Sequence, residues 1–529
     1  MQDKYRRLLQ FESSQRRRLG HTRMVRYLIN RRYYYGDNQD PDDVNQPLGI
    51  RYVPKIVQKH VHYLFGEWEG DIVDWVVDPS DKTSDQDNEV ATNISRAIYA
   101  IMRRADADEL FLKSATDGSI YGDSVLKGVW SQKTRGAAID AILPEYYHAM
   151  WHALDTNETE EVLLAYSMDR QSSYDIFGTP GNPRFREQLS LLDPGLATVQ
   201  EYWNRKEYGL LIDDEIVKTA ENPYGFIPFI HIPNMGVNGE YYGFGDAEPI
   251  FEIQDEINMR VADFGDIINY HAHPITLVRN YFGRFSDLKT GPDVVWDMGR
   301  EGEASYLEWD GPAPGVMQYL DLLMQILFDT TSLTGIAFGR TEMSQASGSA
   351  LVVQMLPIVE IVRRKRALWG PKLSEFAKML IIIEAAGMSS ISFKEKYKFD
   401  ITDLERFDIR PKWAPILPRD RAIVVNENVA LLVNKARSIT SALKDLGTDD
   451  PETERNKIMD DLRDFGRINN ELQSALMESE ADVNKELADH EASLGIGVGR
   501  VTSNPTKNPL NRDGGQNSTS AKGGSNEDS

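Results

Sequence analysis

The sequence predicts an α+β fold built from more than one structural unit, and three observations predict it. At 529 residues with 41% hydrophobic content, the chain exceeds what one core usually organises. Its first half mixes helical periods with alternating runs of period two. From residue 247 onward, apolar residues recur mostly at steps of three and four, the mark of long helices, around one compact insertion rich in Gly and Pro.

Residues 1–35 carry Lys4, Arg6, Arg7, Arg16, Arg17, Arg18, Arg23, Arg26, Arg31 and Arg32 against Asp3 and Glu12, on a chain whose net charge is -23. Two readings stay open. The segment is a solvated amphipathic helix with Leu8, Leu9 and Phe11 packed inward, or a surface for nucleic acid or an acidic neighbouring subunit. Residues 33–68 then place a polar Asp/Asn/Pro loop between an aromatic end and an amphipathic helix around Ile56, Val57, Val61 and Leu64. Residues 95–115 read as one helix. After Ile120-Tyr121-Gly122-Asp123 comes an alternating run with Val125, Lys127 and Val129 on one face, and further strands are expected at 139–143 and 161–168.

Between residues 249 and 272, Ile250, Ile253, Ile257, Val261, Phe264 and Ile268 form an apolar stripe along one helical face. Glu248, Glu252, Asp255, Asp263 and Asp266 line another face, either as a solvated outer surface or as a wall facing a channel or a basic neighbour. Pro274 ends this helix, and residues 273–314 read as short strands and turns holding Trp296 and Trp309. A second helix starts after Gly315 with Val316, Leu320, Leu323 and Leu327, ending near Thr334-Gly335. A polar loop follows, in which Gly335, Gly339 and Gly348 loosen the backbone around Arg340, Thr341, Glu342, Met343, Ser344 and Gln345. The long helix expected over 349–387 should kink at Pro357 and break again at Gly370-Pro371. Its Arg363-Arg364-Lys365-Arg366 cluster offers cations to DNA or to an acidic neighbour. Strand-like segments with Phe393, Phe399, Ile401 and Ile409 lead to helices over 421–490, where Asp450 and Pro451 suit a helix start. The Gly/Ser/Asn/Thr-rich residues after about 494 are expected to be disordered.

Several kinds of chemistry are not legible. With no cysteine, disulfides, thiolate metal sites and thiol nucleophiles are closed. The histidine pairs His60/His62, His148/His152 and His271/His273 lack an acidic third ligand set by spacing, so no metal is expected. Gly495, Gly497 and Gly499 do not follow a strand, and neither a phosphate-loop Gly-Lys-Ser/Thr nor a Gly-X-Ser-X-Gly elbow occurs. No catalytic residue and no cofactor is therefore expected. No apolar run reaches the length of a membrane span, and a soluble protein made in a cytoplasm is expected.

The order helix, compact β insertion, helix, polar loop, long kinked helix resembles the portal proteins of tailed bacteriophages. So do the tyrosine-glycine turn and the Tyr63-Leu64-Phe65-Gly66 corner, the stretches 144–147 and 222–229, the Pro-bounded segment 412–420, and residues 439–462. The resemblance implies a portal fold with wing, stem, clip, tunnel loop and crown. The expected divisions are 1–246 wing, 247–272 first stem helix, 273–314 clip, 315–333 second stem helix, 334–348 tunnel loop, 349–417 long helix and wing strands, 418–490 helical crown and 491–529 tail. It further implies a ring, usually of twelve copies, at one capsid vertex of the virion. Double-stranded DNA would pass through it during packaging and ejection. Large terminase and then head-completion or adaptor proteins would dock on it, beside major capsid and scaffolding proteins. Residues 340–345 would line the tunnel, the five carboxylates would be candidates for its wall, and Trp296 and Trp309 would mark the docking clip or a contact between subunits. The acidic balance suits a channel in which DNA slides. A nucleic-acid-processing enzyme and a non-portal scaffold or nucleoprotein are the alternatives.

Overall fold

The computed structural model describes residues 2–13, 21–36, 49–66, 70–79, 81, 83–152, 155–178, 195–272, 276–281, 284, 288, 296, 299–306, 313–339, 352–417, 421–448 and 450–493. The chain divides into two units, Met1–Pro418 and Arg419–Ser529. Helices and several antiparallel sheets coexist, as an α+β reading requires.

In the first unit, α1 (Gln2–Ser13), α2 (Arg23–Tyr35) and α3 (Val53–Phe65) precede β1 (Asp74–Pro79), α4 (Asp85–Arg104) and α5 (Ala107–Tyr121). The single helix expected over 95–115 is two helices. Ala105 and Asp106 separate them, and Asp106 adopts the left-handed conformation, φ 49°. Neither residue is Gly or Pro, so periodicity alone runs through the break.

Next come β2 (Asp123–Ser131), β3 (Gly136–Ala141), β4 (Tyr147–His152), β5 (Asp155–Asp169), α6 (Arg170–Phe177), β6 (Leu196–Asn204), β7 (Glu207–Ile212), β8 (Glu215–Glu221) and β9 (Phe229–Pro233). Strands β4 to β8 form an antiparallel meander in chain order, and β3-β2-β9 a smaller sheet. The expected strands thus exist: those around 125–129 and 161–168 are longer than expected, while the one expected at 139–143 is shifted to Gly136–Ala141.

The remaining elements of this unit are α7 (Phe251–Ala272), β10 (Thr276–Arg279), β11 (Glu303–Tyr306), α8 (Ala313–Thr331), α9 (Leu356–Gly387), α10 (Ser390–Tyr397) and β12 (Phe407–Lys412), which pairs with β1. Pro357 does not kink α9. It sits in the first turn, where its missing N–H has no intrahelical partner to lose. The helix also continues through Gly370 and Pro371 without a break. Phe393 belongs to α10 rather than a strand; Ser389 starts that helix by accepting a hydrogen bond from Ser392 N at 3.2 Å.

Helix α9 is central because Trp369, Leu373, Phe376, Leu380 and Ile383 all face inward and all are buried. They meet α3, α4, β12 and the small sheet, and Gly128 on β2 leaves room for them: a Cβ there would lie 3.0 Å from Ile383 Cδ1. At its C-terminal end, buried Glu384 accepts from Ala137 N and Arg104 at 2.6 Å, Tyr397 OH at 2.8 Å and Lys396 at 3.1 Å. Glu384→Ala strips four donors of their acceptor, and a loss of about 3 kcal/mol is expected in denaturant unfolding. An unchanged midpoint would contradict the role given to this carboxylate.

The basic N-terminal segment is largely used inside the chain. Leu8 packs with Leu163 and Tyr202, and Phe11 sits edge-on to Trp151 at 5.0 Å. Lys4 pairs with Glu207 at 2.6 Å, Arg7 with Glu161 and Arg31 with Glu145 at 3.2 Å. Arg23 lies 4.3 Å over the Tyr242 ring, and Arg26 is buried. The inward-packed helix is therefore what Leu8 and Phe11 form; Arg16, Arg17 and Arg18 lie outside the described residues.

The second unit holds α11 (Arg421–Val433), α12 (Ile439–Asp445) and α13 (Pro451–Ser493). Asp450 starts α13 as expected, accepting from Thr453 N at 3.1 Å. The helix runs to Ser493, past the expected end at 490, and the expected disordered tail from 494 lies outside the described residues.

Candidate functional site

Helices α7 and α8 pack on one another, and the chain passes between them through β10 and β11, which pair antiparallel from Thr276↔Tyr306 to Arg279↔Glu303. Their shared side buries Ile257, Leu323 and Leu327, while Tyr319 OH donates to Glu256 at 3.2 Å across the pair. Beside exposed carboxylates, the pair also carries apolar residues uncovered within one chain. Met259, Ile268, Met317, Tyr319, Leu322 and Ile326 are all 40–53% exposed. Exposed apolar residues on two packed helices are a candidate contact surface.

The five candidate wall carboxylates do not share one environment. Glu248 accepts from Asn30 Nδ2 and from Gly245 N, both at 2.8 Å, which ties the root of α7 to α2. Asp255 accepts from Tyr33 OH at 2.5 Å, and the Tyr33 ring stacks on Phe251 at 4.0 Å. Burial, reinforced by that carboxylate, pushes the Tyr33 hydroxyl well above its ordinary range. Asp263 pairs with Arg260 at 2.9 Å, and Glu252 and Asp266 are exposed. Glu252, Asp255, Asp263 and Asp266 are all exposed, Asp255 while bound by Tyr33, whereas Glu248 is half-buried and anchors the root of the helix.

Past α8, residues Gly335–Phe338 form a short 3-10 turn closed by Gly339 at φ 76°. The expected loop residues Arg340, Thr341, Glu342, Met343, Ser344 and Gln345 lie outside the described residues, as does Trp309. Trp296 is half-buried. On β4, His148 and His152 belong to a strand, where helical i, i+4 sharing does not apply. His60 Nδ1 donates to Ile56 O at 3.0 Å, inside the core. Among the described residues no group of three His, Cys, Asp or Glu is placed to hold a metal ion.

A second buried polar network lies at the root of α7, where two chain segments cross. Residues 119–123, Ser-Ile-Tyr-Gly-Asp, run against 241–246, Tyr-Tyr-Gly-Phe-Gly-Asp. Each ends in a buried aspartate. Asp123 accepts from Tyr27 OH, from His231 Nε2 at 2.8 Å and from Gly243 N at 2.8 Å. Asp246 accepts from Lys365 at 2.5 Å, Ser119 Oγ at 2.5 Å and Asn234 Nδ2 at 2.8 Å. Burial works against both charges, yet His231 holds the Asp123 carboxyl, and Lys365 the Asp246 carboxyl, below the usual carboxylate range. Sequence reasoning missed both aspartates. The usable signal was the doubled Tyr-Gly…Asp pattern, with glycines where two backbones touch.

Half of the basic cluster of α9 is turned inward, Lys365 and Arg366, while Arg363 and Arg364 are exposed. Lys365 serves Asp246, and Arg364 donates to Gly236 O at 3.2 Å. Arg366 donates to Leu64 O and Ala414 O at 2.8 Å and lies over Trp413; burial lowers its guanidinium to about 10. Arg366 thereby holds the end of α3 to α9 and to the segment after β12.

A family model described as phage portal protein, SPP1 Gp6-like, matches residues 20–475. No curated protein sequence matches the chain.

Proposed function

The chain belongs to the phage portal protein family, SPP1 Gp6-like, and from that premise we propose that it assembles as a ring, usually of twelve copies, at one capsid vertex. Double-stranded DNA passes through the ring during packaging and ejection. Large terminase and later head-completion or adaptor proteins dock on it, and major capsid and scaffolding proteins surround it. The role is structural, without catalysis of its own. No helix among the described residues is long and apolar enough to cross a membrane, in keeping with a place in the virion.

The observation that carries this reading beyond family membership is the apolar surface left uncovered on long helices. On α7 and α8 it is the exposed set given above. On α13 it runs through Met459, Leu462, Phe465, Ile468, Leu472, Leu476, Val483 and Leu487, all at least 41% exposed on a helix roughly 65 Å long. A heterologous contact repeated around a closed axis covers such faces on every copy at once.

In this reading α7 and α8 are the stem, residues 273–314 with Trp296 and Trp309 the clip, residues 340–345 the tunnel loop, and Glu252, Asp263 and Asp266 wall residues repelling phosphate. Negative-stain microscopy with mass determination tests the ring; a stable closed dimer would overturn it and favour the enzyme alternative. Deleting residues 340–345 is expected to leave ring assembly intact while the yield of packaged DNA falls to background. Normal packaging by the deleted ring would remove the loop assignment.

A further inference from the structure

The outer edge of the meander is blunted by charge, since β8 carries Glu215, Lys218 and Glu221. Strand β9 is not. It ends the small sheet with the sequence Phe-Ile-His-Ile-Pro, and no strand pairs with its outer edge. Two bonds fix which of its main-chain groups face outward, Gly128 N to Pro228 O at 3.0 Å and Asn234 N to Gly122 O at 2.8 Å. In the register Val125↔His231 that lies between them, Ile230 and Ile232 bond β2, so Phe229 and His231 turn their main chain to the other side. The Phe229 N–H donates to Ile227 O at 2.8 Å, and Pro233 has no N–H. What remains is one donor, the His231 N–H, with the carbonyls of Phe229 and His231. No main-chain bond to these groups is made among the described residues.

The edge is recessed. Phe229, Ile230, His231 and Ile232 are all buried, yet they line a cleft of about 460 Å³ together with Pro233 or its neighbours. Lys372, Glu375 and Met379 of α9 form one wall, and Glu158, Thr159 and Arg205 of the meander the other. Each wall balances its own charge, Lys372 with Glu375 at 3.3 Å and Arg205 with Glu158 at 2.7 Å. Such walls give phosphates no cationic surface, which argues against nucleic acid as the occupant. Buried main-chain groups without partners call instead for an occupant that supplies the pairing.

We propose that this cleft is a docking site for an extended segment of a partner protein, which adds to β9 as a fourth strand of the small sheet. The segment donates to Phe229 O and His231 O and accepts from the His231 N–H. Its side chains alternate, polar ones toward Arg205 and Glu158 and apolar ones toward Met379. Pro233 ends the pairing, so the added strand is short. The exposed edge of a second copy fits poorly, because β8 would bring Glu215 and Glu221 to walls that already hold Glu158 and Glu375. The inference concerns the single chain and does not rest on the portal reading.

Hydrogen exchange of the full chain, read by mass spectrometry, tests the edge. The probe is a short soluble peptide that alternates valine with threonine and glutamine. It is expected to protect one further amide in fragments covering residues 229–233, the His231 N–H, because the Ile230 and Ile232 amides are already bonded to β2. Methylating the peptide nitrogens that face β9 leaves the side chains unchanged and is expected to weaken binding about tenfold for each bond lost. Lys372→Trp, which places a bulky ring at the wall of the cleft, is expected to abolish the protection. Should that variant fail to fold, the methylated peptide decides the question on the unaltered chain. No added protection up to millimolar peptide, or equal binding of the methylated peptide, overturns strand addition. Protection of the same amide that rises with protein concentration alone assigns the edge to a second copy and overturns the partner reading.

Discussion

Gly243→Ala is expected to destabilise the first unit by about 3 kcal/mol or more, seen as a lowered midpoint in thermal or denaturant unfolding. A Cβ at this position would lie 2.2 Å from Gly122 O, 2.8 Å from Asn234 N and 3.2 Å from Pro233 Cα. All three are backbone atoms, so no flexible side chain can yield. The added methyl would also intrude on the bond that Asn234 N donates to Gly122 O at 2.8 Å. Relief requires moving segment 241–246, which carries the Gly243 N–H to Asp123 and places Asp246 beside Lys365. Gly265→Ala is the matched control: nothing lies within 4 Å of its Cβ, it sits inside α7, and a gain of about 0.5–1 kcal/mol is expected. Equal responses at the two positions would show that the crossing of the two segments is not the tight contact described.

The elements easiest to read from sequence were those whose burial follows a simple period. The start of the α7 stripe is of this kind, with Ile250 and Ile257 buried; β2 was legible as a strand although it is buried on both faces, Val125 in one core cluster and Leu126 in another. Breaks without Gly or Pro escaped, as at Asp106, since nothing local distinguishes a left-handed aspartate from a helical one. Pro357 was misread because the same residue breaks a helix in its middle and begins one at its first turn. At the candidate site, the acidic line on α7 was visible, but its division was not. Glu248 and Asp255 are claimed by Asn30 and Tyr33, more than two hundred residues earlier. The cluster at 363–366 likewise looked like a surface for a partner. Its Lys365 and Arg366 are turned inward by Asp246, Leu64 and Ala414, partners that only tertiary structure brings near. Long-range pairing of charges leaves no periodic trace, whereas family membership reaches across the same distances by comparing whole chains.

Asp123→Ala is the substitution expected to cost the most at a polar residue, about 3–5 kcal/mol. The carboxylate is 1% exposed and is the shared acceptor of Tyr27, His231 and Gly243, three donors contributed by α2, β9 and the segment before α7. Alanine leaves each of them buried without its acceptor and opens a small void as well. The loss has a defined pH dependence. Burial raises the Asp123 carboxyl, but the hydrogen bonds and charge of its partners outweigh it, so its folded value lies below the ordinary one. Its contribution is therefore complete above the unfolded value of about 3.9 and is lost as pH falls from there through the folded value. Wild type is expected to lose stability across that acid window more steeply than Asp123→Ala, so the difference between the two narrows with acid. Asp123→Asn, which keeps an acceptor for Gly243 N, should fall between them at neutral pH. A constant gap between wild type and Asp123→Ala from neutral pH down to the acid transition would mean that the aspartate does not act through its charge at this crossing.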